Sequence, residues 1–210
     1  MTGPMQQEPA YVLHRRPWRE TSLMVDVFSL NAGRVTVIAR GGNSAKSPLK
    51  AQLQPFQPLL LDWTGRSDLK TLTQADVRSG PTLKRTLSLY SGLYVNELLQ
   101  RLLPMADPHH QLFAAYIDVI AELSEASDVE PVLRRFEQSL AAELGYDFVW
   151  DQAMDSGQPV EAGGLYCYDP EQGILAEPSP GSRLRNLPLL RQLPLLQIPP
   201  HPPMDLIKSD

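Results

Sequence analysis

Nine cations fall within the first 70 residues: Arg15, Arg16, Arg19, Arg34, Arg40, Lys46, Lys50, Arg66 and Lys70. Cations gathered on one face neutralise phosphates and release the counterions that a polyanion holds, which is the chemistry of nucleic-acid contact. Arg40, Lys46 and Lys50 lie on or beside a loop that opens with Gly41-Gly42, where the backbone can approach a strand closely. Trp18, Phe28, Phe56 and Trp63 share this stretch, and aromatic rings stack on unpaired bases. Trp18 and Phe28 are the stacking candidates. Trp18 sits in a basic segment, and Phe28 is opposite in phase to Leu23, Val25 and Val27.

Other chemistries find little support. Cys167 is the only cysteine, so neither an internal disulfide nor a four-cysteine zinc site is open to the chain. His109 and His110 are adjacent and point in different directions on a helix, a poor chelate. His14 has no nucleophile at a readable spacing. No phosphate-cradling glycine loop, G-x-S-x-G, H-E-x-x-H or calcium-binding loop occurs. Glu122, Glu125 and Glu130 read as a solvated helix face. The expectation is a protein with no catalytic residues, no metal and no cofactor, and not an enzyme. Met1 to Pro9 is polar, and no apolar run approaches the ~20 residues of a membrane span, so a cytoplasmic protein is expected.

Composition sharpens the electrostatic argument. Apolar residues make up 42% of the 210, enough for a sizeable core. The net charge is −5, which by itself argues against a polyanionic partner. The average hides a division. Residues 1–80 hold 10 Lys/Arg against 6 Asp/Glu, and residues 81–210 hold 9 against 18. Two surfaces with different partners follow from such a split.

The elements that must carry these residues are legible from periodicity. Residues 10–14 read as a short strand followed by a basic loop over 15–20. Thr21–Leu30 and Arg34–Arg40 alternate in period two around Asn31-Ala32-Gly33, a hairpin. Residues 41–55 read as a polar, mobile loop. Phe56–Trp63 and Asp68–Ala75 form a second hairpin. About five short strands in a basic module match an OB-fold in size, a partly open barrel that often binds single strands, although strand count does not separate it from an SH3-like barrel. After Pro81 the spacing turns helical. Leu83, Leu87, Tyr90, Leu93, Tyr94 and Leu98, continuing to Leu103, predict one amphipathic helix. A second begins after Asp107-Pro108 with Leu112, Phe113, Tyr116, Ile117, Ile120 and Leu123. A third runs from Asp128–Pro131 to Leu144, with Leu133, Phe136, Leu140 and Leu144 as its stripe. Leu165–Tyr168 and Gly173–Leu175 suggest a small hairpin. Eight prolines between Pro178 and Pro203 predict an extended or disordered stretch. The expected organisation is an OB-fold nucleic-acid-binding domain over 1–80, a helical bundle over 81–150, a hairpin region over 151–177 and a proline-rich tail over 178–210. The fold class is α+β.

Several segments, in order, carry a resemblance. They are Ala10-Tyr11-Val12-Leu13-His14-Arg15-Arg16-Pro17-Trp18-Arg19-Glu20-Thr21-Ser22-Leu23, Gly33-Arg34-Val35, and Leu53-Gln54-Pro55-Phe56. Further on come Leu87-Ser88-Leu89-Tyr90-Ser91-Gly92-Leu93-Tyr94-Val95-Asn96-Glu97-Leu98-Leu99, Leu133-Arg134-Arg135-Phe136-Glu137 and Leu144-Gly145-Tyr146. Over roughly residues 10–175 the chain resembles the RecO family of bacterial recombination mediators, in its gammaproteobacterial form. The resemblance implies an N-terminal OB-fold, a helical domain, and a role in DNA repair and homologous recombination within the RecF pathway. It implies binding of single- and double-stranded DNA and annealing of complementary strands. The implied protein partners are the acidic C-terminal tail of single-strand-binding protein, RecR and, functionally, the RecA recombinase. The implied location is the cytoplasm, at the nucleoid during repair. Arg134, Leu133 and Arg135 suit the tail, since an acidic peptide with an apolar end needs a cation beside a hydrophobic slot. The bland alternative is a helix-surface ion pair, Glu130 with Arg134. Some relatives carry a four-cysteine zinc site, which this chain lacks. The family usually continues into further helices, and the ending from Leu187 to Pro203 is expected to depart from it, as a truncation or frame change would produce. The alternative function is an OB-fold RNA-binding or translation-associated protein.

Overall fold

The computed structural model describes residues 3–65, 68–146, 149, 151–161, 166–169, 172–176 and 189–190. The chain divides into two units, Met1–Tyr146 and Asp147–Asp210.

The first unit opens with β1 (Met5–Trp18), β2 (Ser22–Ser29) and β3 (Gly33–Ala39). A short helix α1 (Leu49–Gln52), β4 (Leu59–Thr64) and β5 (Leu69–Val77) follow. The five strands close into a barrel in the order β1-β2-β3-β5-β4, the OB-fold arrangement. Closure depends on two features. The first is the length of β1. Its first half pairs with β4, Ala10 opposite Leu59, and its second half with β2, Trp18 opposite Ser22. A register shift between Val12 and His14 bends it on the way. The second is a parallel contact of β3 with β5, Val37 opposite Lys70. The basic segment after His14 is therefore strand through Trp18, and only Arg19 to Thr21 turns. The stretch expected to be mobile carries α1 and buries Leu53 completely.

Strand alternation makes two cores. Ala10, Val12, Val25, Val27, Val37 and Trp63 fill the barrel. Tyr11, Leu13 and Phe28, on the opposite face of the same strands, point outward but are buried. Three helices cover them: α2 (Thr86–Leu102), α3 (His110–Glu125) and α4 (Glu130–Glu143). Tyr11 meets Tyr116 edge-on at 4.9 Å between ring centres, and Phe28 meets Phe113 at 5.3 Å. Barrel and helices thus share one apolar layer.

The helix α2 corrects the sequence reading. Its buried residues are Ser88, Ser91, Gly92, Val95, Asn96 and Leu99. Leu87, Tyr90, Leu93, Tyr94 and Leu102, expected to form its core stripe, are exposed. The physical reason is distance. Small residues let α2 lie close against the barrel, so its large side chains are displaced to the outer face. A Cβ on Gly92 would stand 2.9 Å from the Phe56 ring.

The second unit holds β6 (Tyr166–Asp169) paired antiparallel with β7 (Gly173–Ala176), and β8 (Leu189–Leu190) on the other edge of β6. Ala153, Cys167, Ile174 and Leu175 are buried.

Candidate nucleic-acid interface

One end of the barrel gathers cations. The β1–β2 turn places Arg19 in the left-handed region, φ 55°, with its guanidinium carbon 6.0 Å from the centre of the Trp18 ring. Beyond β3, Arg40 is exposed, and Gly41 takes φ 70° to turn the chain. The Asn43 amide donates to the Thr21 carbonyl at 2.8 Å, which ties the two loops together. The parallel contact of β3 with β5 brings Lys70 to the same place. An open cleft of about 410 Å³ results, with Trp18, Arg19, Arg40 and Lys70 in its wall. Lys70 is buried, whereas Arg19 and Arg40 reach solvent. Arg19, Arg40 and Lys46 enter no ion pair among the described residues. Glu20, in the turn, and Asp68, just before β5, are exposed acidic neighbours in the chain.

The other expected cations fall differently. Arg15 donates to the Lys50 carbonyl at 2.6 Å and to Gln54 Oε1 at 3.0 Å, so it fixes the α1 segment rather than reaching out. That anchor leaves the Lys50 side chain exposed. Arg16 is exposed and reaches the Met24 sulfur at 3.1 Å. Arg34 is turned the other way. It donates to the Gln100 carbonyl at 2.6 Å in the last turn of α2, where a carbonyl lacks a partner within the helix. Arg34 is therefore corrected from a strand contact to a tie between barrel and helix. Arg66 lies outside the described residues.

Phe28 is likewise corrected. It is wholly buried against Phe113 and Tyr116 and offers no face to a base, because the outer side of β2 is roofed by α3. Trp18 is partly exposed and lines the cleft. Ile38 and Leu69 form the apolar part of that wall and were missed. No local pattern marks them, since only the β3–β5 contact between distant segments brings them together.

A second region lies on the helices. Arg134 bonds Glu137 one turn along α4, and Tyr94 of α2 donates to the same carboxylate at 2.8 Å. The Glu137 bond and charge raise the Arg134 pKa above its usual range. Burial first, then Glu137, pushes the Tyr94 hydroxyl up. Leu133 is half-buried against the shared core, and Leu87 and Tyr90 lie on the Tyr94 face of α2 at spacings of three and four. Arg135 points away from this group and pairs with Glu122 on α3. The ion pair of Arg134 is thus with Glu137, not Glu130. Tyr94 belonged to an expected core stripe, which concealed its place here.

Sequence comparison agrees with the barrel and the helices. The family profile described as Recombination protein O N terminal matches residues 1–81, and the profile described as Recombination protein O C terminal matches residues 84–206. This chain belongs to the RecO family. The DNA repair protein RecO of Marinobacter nauticus is 62% identical over 191 residues, which cover 90% of this chain and 78% of that protein. The RecO of Nitrosospira multiformis is 47% identical over 184 residues, 88% and 76% of the two chains. That of Haemophilus influenzae strain Rd is 45% identical over 166 residues, 79% and 70%. The RecO C-terminal match extends to residue 206, through the proline-rich stretch. Among the described residues no helix is long and apolar enough to cross a membrane, and no group of three His, Cys, Asp or Glu side chains could hold a metal ion.

Proposed function

We propose that this RecO-family chain is a non-enzymatic mediator of DNA repair and homologous recombination. Its barrel binds single- and double-stranded DNA, and it pairs complementary strands. Its helices engage the acidic tail of single-strand-binding protein, and with RecR it helps to load RecA. The observation that carries this reading is the pair of exposed cations, Arg19 and Arg40, at one end of an OB-type barrel, which with Lys46 of the loop after β3 enter no ion pair among the described residues of a chain of net charge −5. Cations on the barrel lower the repulsion between two approaching phosphate backbones, and that repulsion is the main barrier to pairing strands. The acidic remainder of the molecule keeps its other surfaces off the DNA.

The tail contact is supported by Arg134 beside Leu133 and the Tyr94 face of α2. An arginine has five donors, so the Glu137 bond leaves others for an incoming carboxylate. Such work takes place in the cytoplasm, at the nucleoid during repair.

The test is DNA affinity of the full chain as a function of salt. Each phosphate contact should contribute about 0.9 to the log–log slope for duplex DNA and about 0.7 for single strands. A flat dependence, or equal preference for RNA of the same sequence, removes the DNA reading. Annealing of labelled complementary strands then checks the pairing step. Arg134→Ala should weaken binding of a single-strand-binding-protein tail peptide by roughly tenfold, within the range for a charged hydrogen bond. Unchanged peptide affinity removes that contact while leaving DNA binding intact.

A further inference from the structure

A surface helix usually turns charged side chains to water. The outer face of α2 does not. Leu87, Tyr90 and Tyr94 are exposed, Tyr90 by 66%, and recur at intervals of three and four. Leu89 and Leu93, also exposed, widen the strip to one side. Alternating intervals of three and four form the seam of a two-helix coiled coil.

The charges along the same seam select what covers it. Past Tyr94 the intervals continue to Glu97 and Arg101, which pair with each other at 2.6 Å in full view of solvent. Just before α2 stands Lys84, exposed and in no ion pair among the described residues. Laid parallel to a copy of itself, α2 would set Glu97 against Glu97 and Arg101 against Arg101. Laid antiparallel, with Tyr90 at the crossing, Leu87 of each copy meets Tyr94 of the other. Positions 84 and 97 are centred on the same point of the chain as 87 and 94, so Glu97 of each copy then comes opposite Lys84 of the other. The two helix dipoles also oppose each other. A two-fold contact requires a face that complements itself, and this register supplies one.

We propose that the outer face of α2 is a self-association surface, on which two copies of the chain pair through antiparallel α2 helices. One helix face per copy makes an interface at the transient end of the range, under about 1,200 Å², so the dimer forms as concentration rises. Tyr94 also borders Arg134, so a tail peptide bound there competes with the second copy. That consequence rests on the proposed tail contact, whereas the dimer does not.

The experiment is sedimentation velocity of the full chain over a wide concentration range. The mass should rise from that of one chain to that of two and stop there. Tyr90→Glu should hold it at one chain, and because Tyr90 is so exposed its circular dichroism should be unchanged. Lys84→Glu should weaken dimerisation by about 5- to 30-fold, since the axis doubles a surface ion pair and reversal makes it repulsive. Lys84→Glu combined with Glu97→Lys should recover the dimer. One chain at every concentration overturns the proposal and leaves the face to a different protein. A dimer that survives Tyr90→Glu, or growth past two copies, overturns it as well. Failure of the double exchange to restore what Lys84→Glu lost overturns the antiparallel register.

Discussion

Asn96 shows how one side chain can join three elements. It sits on α2, is buried, and donates from Nδ2 to the carbonyls of Val12 at 3.2 Å and Leu13 at 3.0 Å. Those carbonyls lie at the register shift of β1, where Leu13 is passed over in the pairing with β2. Its Oδ1 accepts from the Tyr116 hydroxyl of α3 at 2.7 Å. Asn96→Leu removes all three of these bonds and should lower stability by about 2–4 kcal/mol, read from the urea midpoint. Burial pushes the Tyr116 pKa far up, with Tyr11 adding to the shift. A raised folded pKa means that the folded state keeps the proton that the unfolded chain releases near pH 10. The associated stability is complete below pH 10 and lost as pH climbs above it. Melting temperature should therefore fall above pH 10, and fall less steeply in Tyr116→Phe, although that variant starts about 1 kcal/mol lower at neutral pH. Equal slopes would show that other groups govern alkaline unfolding. None of this network was legible in the sequence, because an asparagine among leucines at helical spacing reads as a surface residue.

At the scale of elements, α2 gives the sharpest contrast between pattern and packing. Leu99 is wholly buried while Leu87 is more than half exposed, yet both fell on the expected apolar stripe. Leu99→Ala should cost about 2–5 kcal/mol and Leu87→Ala less than about 0.5 kcal/mol. Comparable losses from the two would place α2 the other way round. Gly33 joins the β2–β3 turn to the loop between α2 and α3. Its φ is 68°, and a Cβ there would lie 1.9 Å from the Asp107 carbonyl oxygen. Gly33→Ala should lose about 3 kcal/mol or more by combining left-handed strain with a backbone clash, visible as a lower melting temperature. The sequence marked this glycine as a turn, correctly, but not the second loop that makes it indispensable. Period-two alternation was enough to place β2 and β3, since Leu23, Val25 and Val27 and then Val35, Val37 and Ala39 all turn into the barrel. The closure between β3 and β5 has no local signature, because a parallel contact between residues 33 apart is decided by the whole barrel. Arg40 and Lys70 were therefore legible as cations but not as neighbours, and Arg34 looked like a third.

For the whole molecule, the charge division was visible at once, whereas the sharing of one core was not. Tyr11, Leu13 and Phe28 of the barrel are covered by Val95, Leu99, Phe113 and Tyr116 of the helices. Cutting the chain near residue 80 would expose three large apolar side chains on one barrel face, a patch of a kind that drives association. Residues 1–80 alone should therefore be poorly soluble or only partly folded. Residues 1–146 contain both layers of that core and should unfold as one unit. The measurement is urea unfolding of the 1–146 fragment followed in parallel by far-ultraviolet circular dichroism, which weights the helices, and by tryptophan fluorescence, which reports Trp18 and Trp63 of the barrel. Coincident midpoints are expected. Their separation would mean that barrel and helices hold together by separate cores, and Asn96→Leu would then disturb only the helical signal instead of shifting both midpoints together. Such coupling bears on the proposed work of the protein. A barrel whose outer face is packed on the helices keeps the cationic cleft and the Arg134 region within one folded unit, so the proposed DNA and tail contacts can be made at once without a linker whose ordering would reduce affinity.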